Sequence, residues 1–131
     1  MSLRVYLAGP PYADDYRARA SELLRAAGHE PVDPMRRDFR GRTAGHEDEI
    51  VTGDLADIDS CDALLADFSE PDEGTAMEAW YAHSSGTPVV VATGGRTPHP
   101  WVVFVASSVW PELAGAIEAV SALGPTAETS H

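Results

Sequence analysis

The feature that most restricts the fold of this chain is a regular alternation of short apolar runs with segments of helical spacing. Residues 3–8, 63–68 and 88–92 are apolar runs of strand length, and residues 30–33 and 107–110 are shorter ones. Between them lie segments that predict helices at residues 14–27, 47–60, 75–84, 101–106 and 112–123. Ile50, Val51, Leu55 and Ile58 mark the second of these at helical spacing, Asp14 is placed to cap the first, and Gly28 suits the position just past its end. Residues 35–45 are polar and arginine-rich and read as a loop. Strand alternating with helix predicts a parallel sheet covered on both faces, a single-domain, Rossmann-like (flavodoxin-like) α/β fold over residues 1–123 with a frayed tail at 124–131. In such sheets ligands sit beyond the carboxyl ends of the strands. Three loops leave those ends: Gly9-Pro10-Pro11, residues 69–74 and residues 93–100.

Composition narrows what those loops can do. The 131 residues suffice for one domain with a core, and 21 acidic residues against nine basic ones leave a formal net charge of -12. All nine bases are arginine, and the chain contains no Lys, Asn or Gln. There can be no lysine Schiff base, no Walker-type phosphate clamp and no side-chain amide in an oxyanion hole. So negative a field disfavours nucleic acids and anionic membranes as partners. The lone Cys61 excludes an internal disulfide and a thiolate metal cluster. The first residues lack the pattern of a signal peptide, and no apolar run approaches the ~20 residues of a membrane helix. The expectation is a cytoplasmic protein.

Three side chains stand out. Glu78 lies one turn into the helix that follows the loop of residues 69–74, where Gly74 allows close approach to the backbone. The plainer reading is a capping box, in which Thr75 and Glu78 satisfy each other's backbone N–H; it predicts an exposed Glu78 without carboxylate neighbours. The functional reading is a nucleophile or general base. Asp54 has Ile50 and Ile58 four residues to either side, which puts it on or beside the apolar stripe, whereas Asp57 and Asp59 fall on other faces. A carboxylate there needs partners or a function, unless it merely sits at the stripe's edge. Tyr6, near the end of the first strand, is either core or an orienting partner for a carboxylate.

These residues resemble the nucleoside 2-deoxyribosyltransferases and the related nucleotide N-glycosidases. The likeness rests on Val5-Tyr6-Leu7-Ala8-Gly9-Pro10, Gly53-Asp54-Leu55-Ala56-Asp57-Ile58, Cys61-Asp62-Ala63-Leu64-Leu65-Ala66 and Pro71-Asp72-Glu73-Gly74-Thr75-Ala76-Met77-Glu78. It runs from Leu3 to about Val91. The resemblance implies that Glu78 attacks the anomeric carbon of a (2′-deoxy)nucleoside, and that the glycosyl-enzyme ester passes its sugar to another nucleobase or to water. By the same likeness Tyr6 hydrogen-bonds the nucleophile, Asp54 protonates the departing base, and Asp72 meets the sugar hydroxyls. Gly9, Pro10, Gly74, Thr75 and Met77 would line the substrate. No metal or organic cofactor is implied. Carboxylates around the sugar suit an oxocarbenium-like transition state, and crowding raises their pKa values.

The resemblance also implies a homo-oligomer whose pocket is completed across the subunit interface, with Trp80, Tyr81 and Trp101 as possible contacts. After Val91 the family pattern departs, and a chain without asparagine cannot supply one there; His99 and Ser107-Ser108 are the candidates that remain. Asp72, where monophosphate-cleaving relatives often carry serine, and a first turn without a Gly/Arg-rich loop both favour free nucleosides. Arg36, Arg37, Arg40 and Arg42 could instead clamp a phosphate, or lie on a solvated or subunit-facing surface. Two competing readings are a non-catalytic nucleotide-binding module and an acidic interaction protein with Glu78 outside any site.

Overall fold

The computed structural model describes residues 2–124, so the tail expected from 124 onward lies outside the described residues except for Gly124. Five strands, β1 (Arg4–Ala8), β2 (Glu30–Val32), β3 (Ala63–Asp67), β4 (Val89–Ala92) and β5 (Ser108–Trp110), form one all-parallel sheet in the order β2-β1-β3-β4-β5. The α-helices are α1 (Asp14–Ala26), α2 (Glu47–Asp59), α3 (Glu73–Ser84), α4 (Pro100–Val105) and α5 (Leu113–Leu123). A short 3-10 turn, Pro34–Arg36, opens the arginine-rich loop.

The predicted elements are all present, with ends moved by one or two residues. Gly28 follows α1 at φ +87, as expected of a glycine closing a helix, whereas Asp14 is the first helical residue and Ala13 precedes it without a side-chain cap.

Successive residues of β1, β3 and β4 are buried on alternate faces, because both sides of a parallel sheet are covered. Tyr6, Ala8, Leu64, Ala66, Val89 and Val91 pack with Ile58, Ala79, Ala82, Val102 and Val105 from α2, α3 and α4. Val5, Leu7, Leu65, Val90 and Ala92 pack with Ala20, Leu24, Ile117 and Val120 from α1 and α5. Tyr6 pairs with Leu64, and Ala8 with Ala66, which sets the two central strands level at their carboxyl ends.

Candidate active site

The chain leaves β1 toward one face of the sheet, into α1, and leaves β3 toward the other, into α3. Between those adjacent strands the connections diverge and open a crevice, the position where open α/β sheets bind ligands.

Tyr6 is fully buried on the α3 side, and its hydroxyl donates a hydrogen bond to Glu78 Oε2. The helix that carries Glu78 begins earlier than the spacing of Thr75 and Glu78 predicts. Asp72 is its N-cap: Asp72 Oδ2 accepts from the Thr75 backbone N–H at 2.9 Å and from Thr75 Oγ1 at 2.6 Å. The capping box is therefore absent. With Asp72 closing the first turn, Glu78 is spared that duty and reaches across to the sheet.

Asp54 faces the same point from α2. Arg37 Nη2 donates to Asp54 Oδ1 at 3.2 Å and to Asp57 Oδ2 at 2.7 Å, and Arg36 grips Asp57 with two bonds of 2.9 and 2.8 Å. Asp57 thus shares a cation with Asp54, although helical spacing assigned it to another face. The apolar stripe is also narrower than predicted: Ile58 is buried, Leu55 only partly, and Val51 is exposed. Gly53 matters here, since a Cβ on it would lie 2.9 Å from Arg37 Nε and push the guanidinium off Asp54.

The electrostatics follow from burial. Burial raises the Glu78 pKa most; the Asp54 charge adds to that, the Tyr6 hydrogen bond and the Arg17 charge oppose it, and the result is about 8. Burial likewise raises Asp54, against the pull of Arg37. Tyr6 is pushed above the ordinary phenol range by burial and by Glu78. Burial would also raise Asp57, but its bonds to Arg36 and Arg37 hold it below the usual carboxylate value. Two carboxyl groups of raised pKa facing each other can hold one proton between them near neutral pH, the arrangement of an acid working beside a base.

The remaining candidates divide. Gly9 sits at the crevice, and a Cβ there would lie 2.9 Å from the Tyr16 ring, so the turn needs glycine for close packing. Pro10 is buried beneath the turn. Gly74 is exposed, and a Cβ there would meet only Asp72 at ordinary contact distance. Thr75 is 1 % exposed and its hydroxyl is committed to Asp72, whereas Met77 is 74 % exposed. His99 caps α4, its Nδ1 accepting the Trp101 N–H at 3.1 Å, and Ser107 Oγ accepts from the Val89 N–H. In the arginine loop, Arg40 pairs with Asp14 and Asp38, and Arg42 lies over the Phe39 ring. Spacing did not point to Arg17, a helical arginine that lies 4 % exposed under the Gly9-Pro10 turn. A cavity of about 390 Å³ opens on the α1/α5 side, lined by Tyr16, Asp67, Ser69, Gly94 and Glu112 among others. None of Tyr6, Asp54 and Glu78 borders it, and its buried acid, Asp67, is bonded to Ser69, so the carboxylate crevice is the stronger candidate site.

The sequence model of the nucleoside 2-deoxyribosyltransferases matches residues 5–121. The chain belongs to this family. The match continues well past Val91, where the likeness by motif ended, so β5 and α5 are part of the family pattern as well. The nucleoside 2-deoxyribosyltransferase family is enzymatic and acts on nucleosides or nucleotides. No curated protein matches the chain in sequence. Among solved structures, a 2-deoxyribosyltransferase from Bacillus psychrosaccharolyticus is similar with a TM-score of 0.78 at 19 % identity, over 90 % of this chain and 95 % of that one. A conserved protein from Enterococcus faecalis V583 has a TM-score of 0.73 at 15 % identity, over 94 % and 99 % of the two chains. A CMP N-glycosidase from Clostridium botulinum has a TM-score of 0.63 at 16 % identity, over 92 % and 98 %. At these identities the likeness is one of fold. No helix among the described residues is long and apolar enough to cross a membrane.

Proposed function

We propose that this protein cleaves the N-glycosidic bond of (2′-deoxy)nucleosides through a covalent sugar ester on Glu78 and transfers the sugar to a second nucleobase. The observation that carries the reading is the partly buried Tyr6–Glu78 hydrogen bond with Asp54 facing the same carboxylate. Glu78 Oε attacks the anomeric carbon, the carbon–nitrogen bond breaks, and its electron pair stays on the base nitrogen, which takes a proton from Asp54. A second base then attacks the anomeric carbon from the opposite side and gives its N–H proton to the Asp54 carboxylate, and Glu78 departs as a carboxylate, with net retention. Water in place of the second base makes the same chemistry a hydrolysis. Tyr6 holds Glu78 in line and stabilises its ionised form.

The substrate reading favours a free nucleoside. A phosphate would ordinarily be drawn to the N-terminus of a helix such as α3, but the Asp72 carboxylate already occupies that end. Arg36, Arg37 and Arg40 are each paired with an acid of this chain rather than free to hold a phosphate. Asp72 Oδ1 has no partner among the described residues and is available to a sugar hydroxyl.

We further infer a homo-oligomer built on α3 and α4. Met77, Trp80, Trp101 and Phe104 lie exposed on these two helices, and α4 has no charged residue in a chain of net charge -12. An apolar face of this kind, beginning beside Glu78, suits a second copy that walls the crevice. Tyr81 is spent on Asp59 within its own chain.

The test is incubation with 2′-deoxyinosine and adenine. Formation of deoxyadenosine supports transfer, and hypoxanthine without deoxyadenosine assigns hydrolysis. Glu78→Ala should lower either rate by at least about 1000-fold; a fully active variant would overturn the mechanism.

A further inference from the structure

The turn after β1 is unusual in what it exposes. Pro10 and Pro11 have no N–H, so the turn is rich in acceptors and poor in donors. Its three carbonyls are all engaged by arginines: Arg17 Nη2 donates to the Gly9 carbonyl at 2.7 Å and Nη1 to the Pro10 carbonyl at 2.8 Å, and Arg40 Nη1 donates to the Pro11 carbonyl at 3.3 Å. Arg17 Nε makes no hydrogen bond; the carboxylate facing it, Asp33 Oδ1, is 3.6 Å away. Keeping a guanidinium 4 % exposed with so little counter-charge is costly, and a helix surface position does not require it. From the other side the Tyr16 ring rests against Gly9, with its hydroxyl bonded to the Leu65 carbonyl at 3.0 Å. The turn is thus gripped between a ring anchored on β3 and a planar fork.

We propose that Arg17 is a positioning residue for substrate: its fork turns the Gly9 and Pro10 carbonyls inward and sets the edge of the turn that the sugar meets beside Glu78. The proposal rests on the reading of Glu78 as nucleophile and of Gly9-Pro10 as a substrate contact.

Arg17→Lys and Arg17→Met test the fork. Lysine retains the charge but presents a point donor in place of a fork, so KM for 2′-deoxyinosine should rise about tenfold with kcat within about threefold. Methionine loses both charge and fork, and KM should rise as much or more. If Arg17→Met does not fold, Arg17→Gln serves in its place. An unchanged KM in folded Arg17→Lys overturns the positioning role. So does a loss confined to thermal stability. A fully active Glu78→Gln would instead overturn the reading of Glu78, while the KM of Arg17→Lys would still decide whether the fork sets the turn.

Discussion

Glu78 carries a carboxyl that folding makes harder to ionise, and both its stability and its rate consequences have a definite sign. Its folded pKa is about 8 against an ordinary value of 4.5. Between those values the folded state retains a proton that the unfolded chain releases, so this group destabilises the fold progressively as pH rises from about 4.5 to about 8. Glu78→Gln keeps an acceptor for Tyr6 and removes that dependence. Thermal denaturation should show the variant more stable by roughly 1–2 kcal/mol at pH 8.5, discounting the shift for partial solvent access, and equal to the wild type near pH 4. The rate has a different dependence, because transfer needs Glu78 ionised while Asp54 holds the proton. With one proton on the pair, kcat/KM should be bell-shaped with its alkaline limb near pH 8. In Asp54→Asn the proton donor is gone, and the profile should lose that falling limb and follow the ionisation of Glu78 upward at a lower maximum.

At the scale of elements, α3 is organised by its first turn. Asp72 caps it through Thr75, which frees Glu78 for the sheet and places a negative charge at the N-terminus of the helix. Asp72→Ser keeps a capping hydroxyl, so the helix and the melting temperature should be little changed, while kcat/KM for a 5′-monophosphate relative to the free nucleoside should rise at least about tenfold. An unchanged ratio would separate the cap from substrate choice. Helix α2 has the complementary arrangement. Gly53 gives Arg37 room to lie along the helix and hold Asp54 and Asp57 together, so this loop is pinned by internal ion pairs and does not stand free in solvent.

At the scale of the whole molecule, the charge is unevenly spread. Acids and arginines lie on α1, α2 and the loops, with further acids on α3 and α5, while α4 has no charged residue and carries Trp101 and Phe104 at 68 % and 69 % exposure. Trp101 stacks obliquely on Trp80, with ring centroids 5.7 Å apart, so the patch is continuous from α3 to α4. Trp101→Glu should convert an oligomer to a monomer by sedimentation at unchanged secondary structure, and activity should fall with it. A variant that sediments like the wild type would place the interface elsewhere.

Alternation of apolar runs and helical spacing determined the five strands, the five α-helices and the parallel sheet, because period and loop chemistry are local properties that a chain states directly. Tyr6 and Glu78 were legible from their places on a strand and a helix at the carboxyl edge, and Asp54 from its place beside the apolar stripe of its helix. The partners were not. That Asp57 joins Asp54 through Arg37 and that Arg17 lies under the first turn are contacts made only when separate elements pack together, whereas the cap of α3 is a local choice of Asp72 over Thr75, three residues apart. Burial is likewise a tertiary quantity, and it is burial that turns an ordinary glutamate into a carboxyl of pKa about 8 facing a tyrosine and a second acid.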